Sequence, residues 1–420
     1  MIEITPREAL DATVRIPGSK SYTQRAMVIA ALAEGESRLT EVLVAEDTKL
    51  LGRALAALGA GIGTTGTEMA IRGTGGKLAR PAGEIRLGNN GTAMRILTAV
   101  AALGDGPAVL TGTPRLRQRP LKPLIDALAA LGARCETEGD RGFPPVTVRG
   151  GGLRGAKLRL RDIESSQYVS ALLIAAPYAA GEVTIALEGR VPSLPYVALT
   201  VETMGAFGVD VALDGAGRYV VKSGQRYRGR QYRVEGDLSS ASYFFLAAAL
   251  TKGRIRVENV NPRSGQGDAG FLTLLERLGC RVARGEGAVE VVGGQLPPGE
   301  MTFDLAAMPD MVPTLAVLAA LRPGRTLIRN VAHLRIKESD RLAAMVKELR
   351  KTGIAAEELP DGIAVTGGAP RGATIATYDD HRIAMSFAVL GLAVPGMKIE
   401  GEGCVGKSFP GFWQALEGLS

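Results

Sequence analysis

The sequence predicts an α/β chain of two domains, each built from three repeated β-α-β-α-β-β units. Three observations carry this. Helices that end in glycine recur at a fixed spacing. A second series of Ala- and Leu-rich helices lies between them with nearly the same period. The last copy is cut short, while matching strands stand at the other end of the chain. Self-similarity at a fixed period is the signature of a structure assembled from one supersecondary unit.

The first series is "LGRALAALGAGI", "LIDALAALGARC", "LTVETMGAFGVDV", "LTLLERLGCRV" and "MVKELRKTGIAA". Each is an apolar helix pattern followed by a glycine and a β-branched strand. The marker glycines are Gly59, Gly132, Gly205, Gly279 and Gly353, at intervals of 73, 73, 74 and 74 residues. Glycine is the expected helix stop because it enters the left-handed conformation without a Cβ clash.

The second series ends at Gly35, Gly106, Gly181, Gly253, Gly324 and Gly396. The two series together define six copies of strand, helix, strand, helix and hairpin, with hairpins such as "GVDVALDGAGRYVVKSG". The sixth copy, "MKIEGEGCVGKSFPGFWQALEGLS", has no hairpin after its second helix. The opening "MIEITPREALDATVRIPG" resembles the tail of the fourth copy, so the N-terminal strands are expected to complete the C-terminal domain. The expected division is residues 19–236, and 237–420 with 1–18, crossing near residues 18 and 236. A continuous solenoid of six units is the alternative.

Composition narrows the function. In 420 residues, Lys+Arg 50 exceeds Asp+Glu 43 for a net charge of +7, a balance suited to small anionic ligands. The basic residues are dispersed, with no nucleic-acid-binding signature. Cys135, Cys280 and Cys404 are far apart and odd in number, which argues against a disulfide framework. The start is unlike a signal peptide, and no apolar run approaches the roughly 18 residues of a membrane span. A cytoplasmic protein is expected.

The stretch "IPGSKSYTQR" resembles a phosphate loop, but the nucleotide motif fails: Ser19 and Val14 stand where glycines are required. It is better explained as one of six openings of first helices. The others are "GNNGTAMR", "IESSQYVS", "GDLSSASY", "MPDMVPT" and "YDDHRIAM". Each offers residues suited to helix capping. Capping alone does not explain Lys20, Arg25, Arg95, His381 and Arg382, because the dipole disfavours cations in a first turn. A bound anion reverses that cost. Several such termini facing a cleft between domains would hold a substrate with several anionic groups. "PRLRQRPL" adds Arg115, Arg117 and Arg119; "HLRIKESDRL" adds Arg335, Lys337, Glu338, Asp340 and Arg341; "VGKSFPGF" adds Lys407.

These strings, with "SSQYVSALL" and "EGDLSSASYF", occur in the same order in one family over essentially the whole length. The chain resembles the 5-enolpyruvylshikimate-3-phosphate synthases within the enolpyruvyl transferases. The resemblance implies an inside-out barrel-like fold of two three-unit domains. It implies transfer of the enolpyruvyl group of phosphoenolpyruvate to the 5-hydroxyl of shikimate 3-phosphate, with release of phosphate, in the shikimate pathway. It also implies small-molecule substrates with no metal or organic cofactor. A monomer is expected, and domain closure is expected because charged groups from both halves must meet around one ligand.

Carried over by position, Ser21 and Arg25 would hold the carboxylate end of shikimate 3-phosphate. Ser165, Ser166 and Ser193 would hold its phosphate, with Tyr196 nearby, and Gln167 and Lys337 its ring. Lys20, Arg119, Gln167, Arg341, Arg382 and Lys407 would face phosphoenolpyruvate, with the Gly91 backbone against it. Asp310 matches the general base and a ring-hydroxyl ligand; Glu338 and Lys20 match the acid–base residues near the enolpyruvyl carbons. Glu338 orienting its cationic neighbours, and Asp310 capping its helix, are the structural alternatives. Asn90, beside Gly91, stands where relatives carry a small residue, so its bulk or a new hydrogen bond bears on the phosphoenolpyruvate pocket; Ile96, on the helix that follows, stands where many carry Pro. His333 departs from the family and is assigned no contact. The sister activity, transfer to UDP-N-acetylglucosamine, is the rival; its characteristic loop cysteine has no counterpart in "TGTPRLRQRP".

Overall fold

Helices with no polar stripe must be buried on every side, and this governs how each copy is built. A computed structural model describes residues 1–8 and 10–419. Its helices in chain order are α1 (Lys20–Leu32), α2 (Glu46–Ala57), α3 (Gly91–Ala101), α4 (Lys122–Ala130), α5 (Gln167–Ala175), α6 (Pro195–Ala206), α7 (Leu238–Thr251), α8 (Gly270–Arg277), α9 (Val312–Leu321), α10 (Arg341–Lys351), α11 (His381–Ala393) and α12 (Phe412–Glu417). The odd-numbered helices open the copies and are the apolar ones. In α9, "VPTLAVLAAL", every residue from Val312 to Ala320 is buried. The even-numbered helices are mostly one-sided: α10 buries Leu342, Met345, Val346 and Leu349 and exposes Lys347 and Arg350.

The strands form outer sheets whose residues alternate between core and solvent, as in Asp11–Arg15, where Ala12 and Val14 are buried. One copy shows the pattern. Ile85–Arg86 lies parallel to Ala108–Thr111, which pairs antiparallel with Val146–Val148, itself paired antiparallel with Cys135–Thr137. Among the described residues five sheets have four strands in this order and a sixth has three. All are open sheets, so apolar helices inside and small sheets outside account for the inside-out architecture.

The chain divides into two compact units, Gly18–Val234 and Met1–Pro17 with Glu235–Ser420. Each has its own apolar core. Ile2–Glu3 pairs antiparallel with Lys398–Glu400 in the truncated sixth copy, but Asp11–Arg15 pairs parallel with Arg254–Glu258 in the fourth. Gln231–Arg233 pairs parallel with Glu36–Thr40, so the last strand of its unit completes the sheet of the first copy.

One marker glycine needs correction. Gly205 lies inside α6; the chain leaves that helix at Gly208, whose φ is +86° and whose N–H bonds the Gly205 carbonyl. Phe207, 1% exposed, anchors the end of α6 in the core. The helix stop therefore falls three residues after the position chosen by spacing.

Candidate functional site

In the Gly18–Val234 unit, the starts of α1, α3 and α5 are tied together by side chains. Arg25 of α1 is 1% exposed. Its Nε donates to Thr200 Oγ1 at 2.7 Å, and its Nη2 to Ser170 Oγ at 3.2 Å and the Tyr196 carbonyl at 3.1 Å. Nη1 donates to the Ser21 carbonyl at 3.1 Å, and the guanidinium lies over the Tyr196 ring. All these partners are neutral. Burial pushes the Arg25 pKa down to about 10, still well above neutrality, so the unit carries a buried positive charge.

Arg95 of α3 is held similarly. It donates to the Gly91 carbonyl, the Pro120 carbonyl and Gln167 Oε1, and lies over the Tyr168 ring. Gln167 Nε2 donates to Thr92 Oγ1 at 2.9 Å, which fixes the orientation of its amide. Lys20 Nζ lies 3.4 Å from Asp47 Oδ2. Ser165 Oγ accepts from the Gln167 N–H. Ser193 adopts a left-handed φ of 60° just before α6, where Tyr196 sits.

Gly91 is constrained by a neighbour. A Cβ there would lie 2.4 Å from Arg119 Cζ, so the missing side chain is what lets the guanidinium lie against the start of α3. Asn90 caps α3 by accepting from the Ala93 N–H, and its Nδ2 donates to the Asp47 carbonyl. Its added bulk is therefore committed to protein contacts. Ile96 is fully buried in the unit core. Arg117 is exposed and Arg115 half-buried, whereas Arg119 is buried.

In the other unit the cations face carboxylates. Arg341, 1% exposed, donates through Nε to Asp380 Oδ2, through Nη1 to Asp310 Oδ1 and through Nη2 to Glu338 Oε2, each at 2.8 Å. Arg382 Nη2 donates to Asp310 Oδ2 at 2.7 Å. Asp310 thus bridges two arginines. It belongs to the turn Pro309–Met311 preceding α9 and is not the helix cap. Burial raises its pKa, but Arg382, Arg341 and Lys337 overcome this and hold it well below the usual carboxylate range. Arg341 is buried yet held above its ordinary pKa by Asp380, Glu338 and Asp310.

Asp380 is the hub that sequence reasoning missed, although it lies in the quoted "DDHRIAM". It caps α11 through the Arg382 N–H and accepts from Ser339 Oγ as well as Arg341. Lys407, at the end of Glu402–Lys407, is 6% exposed. Lys337 acts electrostatically on Asp310. Arg335 is drawn to Glu358, at 2.6 Å, and to Asp340. His333 is buried in the turn Ala332–Ile336.

Comparisons with known proteins agree over the whole length. A family model described as EPSP synthase (3-phosphoshikimate 1-carboxyvinyltransferase) matches residues 4–416. A protein of Syntrophobacter fumaroxidans named 3-phosphoshikimate 1-carboxyvinyltransferase is 48% identical over 419 residues, 99% of each chain. One of the same name from Methanoculleus marisnigri is 44% identical, over 100% of this chain and 99% of its own. A solved structure of EPSP synthase from Acinetobacter baumannii superposes with a TM-score of 0.82 at 30% identity, covering 99% of this chain and 97% of the other. Among the described residues, no helix is long and apolar enough to cross a membrane.

Proposed function

We propose that this chain, which belongs to the EPSP synthase (3-phosphoshikimate 1-carboxyvinyltransferase) family, transfers the enolpyruvyl group of phosphoenolpyruvate to the 5-hydroxyl of shikimate 3-phosphate. Addition forms a tetrahedral intermediate, from which phosphate is then eliminated. The reaction is a step in the shikimate pathway of aromatic amino acid biosynthesis. The two units are taken as the two three-copy domains, and both charged clusters serve the same substrate pair.

The observation that carries the residue assignment is Asp310 held between Arg341 and Arg382. An acid fixed by two cations stays ionised and is ready to accept a proton. As a base it is weak while both arginines bind it. When anionic phosphoenolpyruvate draws Arg382 and Arg341 toward itself, Asp310 loses part of that stabilisation and its basicity rises. It then takes the 5-hydroxyl proton of shikimate 3-phosphate. Glu338 and Lys20 handle the proton at the methylene carbon, and Arg119 and Lys407 complete the hold on phosphoenolpyruvate.

The shikimate 3-phosphate side draws on the positive field of the other cluster. Arg25 has neutral partners, and Nη1 makes one bond of the two it can donate among the described residues. With Ser21 it receives the carboxylate. Ser165, Ser166 and Ser193, with Tyr196 nearby, receive the phosphate; Gln167 and Lys337 contact the ring. Preorganised donors of this kind hold reactants in near-attack geometry.

We place the reaction in the cytoplasm, where the free thiols Cys135, Cys280 and Cys404 suit a reduced compartment. We take the working form as a monomer, since one chain carries every residue the reading requires. Phosphate release from phosphoenolpyruvate, assayed with each acceptor separately, tests the function. Release is expected only with shikimate 3-phosphate. Release with UDP-N-acetylglucosamine instead would establish the sister activity.

A further inference from the structure

Asp268 lies in the turn Gly267–Ala269 before α8 and is 4% exposed. It lies outside the motifs that carry the family resemblance. Its Oδ2 accepts from Ser239 Oγ, and its Oδ1 is buried with no hydrogen-bond partner among the described residues. Ser239 Oγ in turn accepts from Arg382 Nη2 at 3.5 Å, the nitrogen that donates to Asp310 Oδ2 at 2.7 Å. A continuous chain therefore runs from Asp268 through Ser239 and Arg382 to Asp310.

The chain has a direction. Arg382 can only donate, so Ser239 must accept from it and is left with its own proton to give. Asp268 is the acceptor of that proton. Arg382 is thus held from two sides, by Asp310 directly and by Asp268 through one hydroxyl.

We infer that Asp268 is a positioning residue for Arg382, acting through Ser239, and that it takes up a proton when an anionic substrate joins Arg382. This rests on the reading that Arg382 contacts phosphoenolpyruvate. The charged and titratable groups around Asp268 are Asp310 from the turn before α9, Arg382 from α11 and Asp237 from the start of α7, together with the Ser239 hydroxyl. Tyr243 of α7 lies beyond, against Arg382. Burial, reinforced by the Asp310 charge, pushes the Asp268 carboxyl up to about 7, although Arg382 and Ser239 oppose the rise. An anion on Arg382 adds negative charge beside Asp268 and cancels part of the opposing cation. Both effects favour the neutral carboxyl.

The sign follows. Well below its raised pKa the carboxyl already carries the proton and anion binding costs nothing extra. Above it, binding must draw a proton from solvent, so affinity for the anion falls as pH rises.

The test is the KM for phosphoenolpyruvate from pH 6.5 to 8.5 at saturating shikimate 3-phosphate, for the wild type, D268N, D268A and S239A. The ionisation of the substrate is common to all four and cancels in the comparison. The wild-type KM should rise with pH more steeply than that of D268N, whose amide still accepts from Ser239 but cannot titrate. D268A and S239A should raise KM about tenfold, the scale of one hydrogen bond to a charged group, with kcat changed less than KM. A D268N profile parallel to the wild type would overturn the proton uptake. An unchanged KM in S239A would overturn the positioning role, and S239A keeps this readable even where D268A does not fold. A wild type without turnover on these substrates would instead overturn the assigned reaction.

Discussion

The two units bury arginines under opposite conditions. Arg25 and Arg95 are surrounded by hydroxyls, carbonyls, an amide and aromatic faces. Arg341 and Arg382 are surrounded by Asp310, Glu338 and Asp380. The first arrangement fixes the geometry of a cation without neutralising it, which leaves its field available to an anion. The second neutralises its cations internally and keeps carboxylates ionised at a defined position. One suits binding of a charged substrate; the other suits proton transfer that starts when a substrate disturbs the balance.

The largest expected effect is on the acid side. D310N should lower kcat by about 10²–10⁴-fold, the range for loss of a positioned acid–base group. Steady-state turnover with both substrates saturating measures it. A variant within a few-fold of the wild type would remove Asp310 from proton transfer.

Stability separates the two kinds of arginine. R341M removes a shared cationic partner of Asp310, Glu338 and Asp380 and should cost about 3–5 kcal/mol, the scale for breaking a buried ion pair from one side. R25M leaves no carboxylate behind and should cost much less. The pH dependence sharpens the contrast. In the wild type the lowered Asp310 pKa contributes stability that is present above its unfolded value, near pH 4, and is lost as pH falls through the folded value. R341M forfeits much of that contribution, so its deficit should be largest at neutral pH and shrink in acid. Urea unfolding at pH 7 and pH 3, inside the window between the unfolded and the lowered folded value, measures both variants; equal losses would mean that the two networks are energetically alike.

The smallest effect tests a residue that departs from the family. N90A should cost about 1 kcal/mol, the usual loss of a helix cap, with turnover preserved. A large rise in the KM for phosphoenolpyruvate would show that the Asn90 amide has a binding role beyond the cap and the Asp47 carbonyl.

Much of this was legible in sequence because the signals are local. A helix stop and a cap are read within a few residues, and they revealed six copies and their openings. The same locality explains the error at α6. "MGAFGV" holds two glycines, and regular spacing selected Gly205 where the backbone uses Gly208. Strand pairing is not local: nothing within "DATVR" specifies Arg254–Glu258 as its neighbour. The missed site residues share this property. Asp47 and Asp268 carry no motif, and they matter only because folding brings them to Lys20 and to Ser239. Asn90 and Ile96 stand out in sequence only as departures from relatives, whereas in the structure one caps a helix and the other packs in the core.

The division of labour between the two networks is tested most directly by calorimetric titration of shikimate 3-phosphate into R25M and D310N. R25M should bind more than about tenfold more weakly than the wild type, the scale of a lost charge-assisted hydrogen bond. D310N should lose less affinity than R25M while losing nearly all turnover. The reverse order, with D310N the weaker binder and R25M near wild type, would contradict the account.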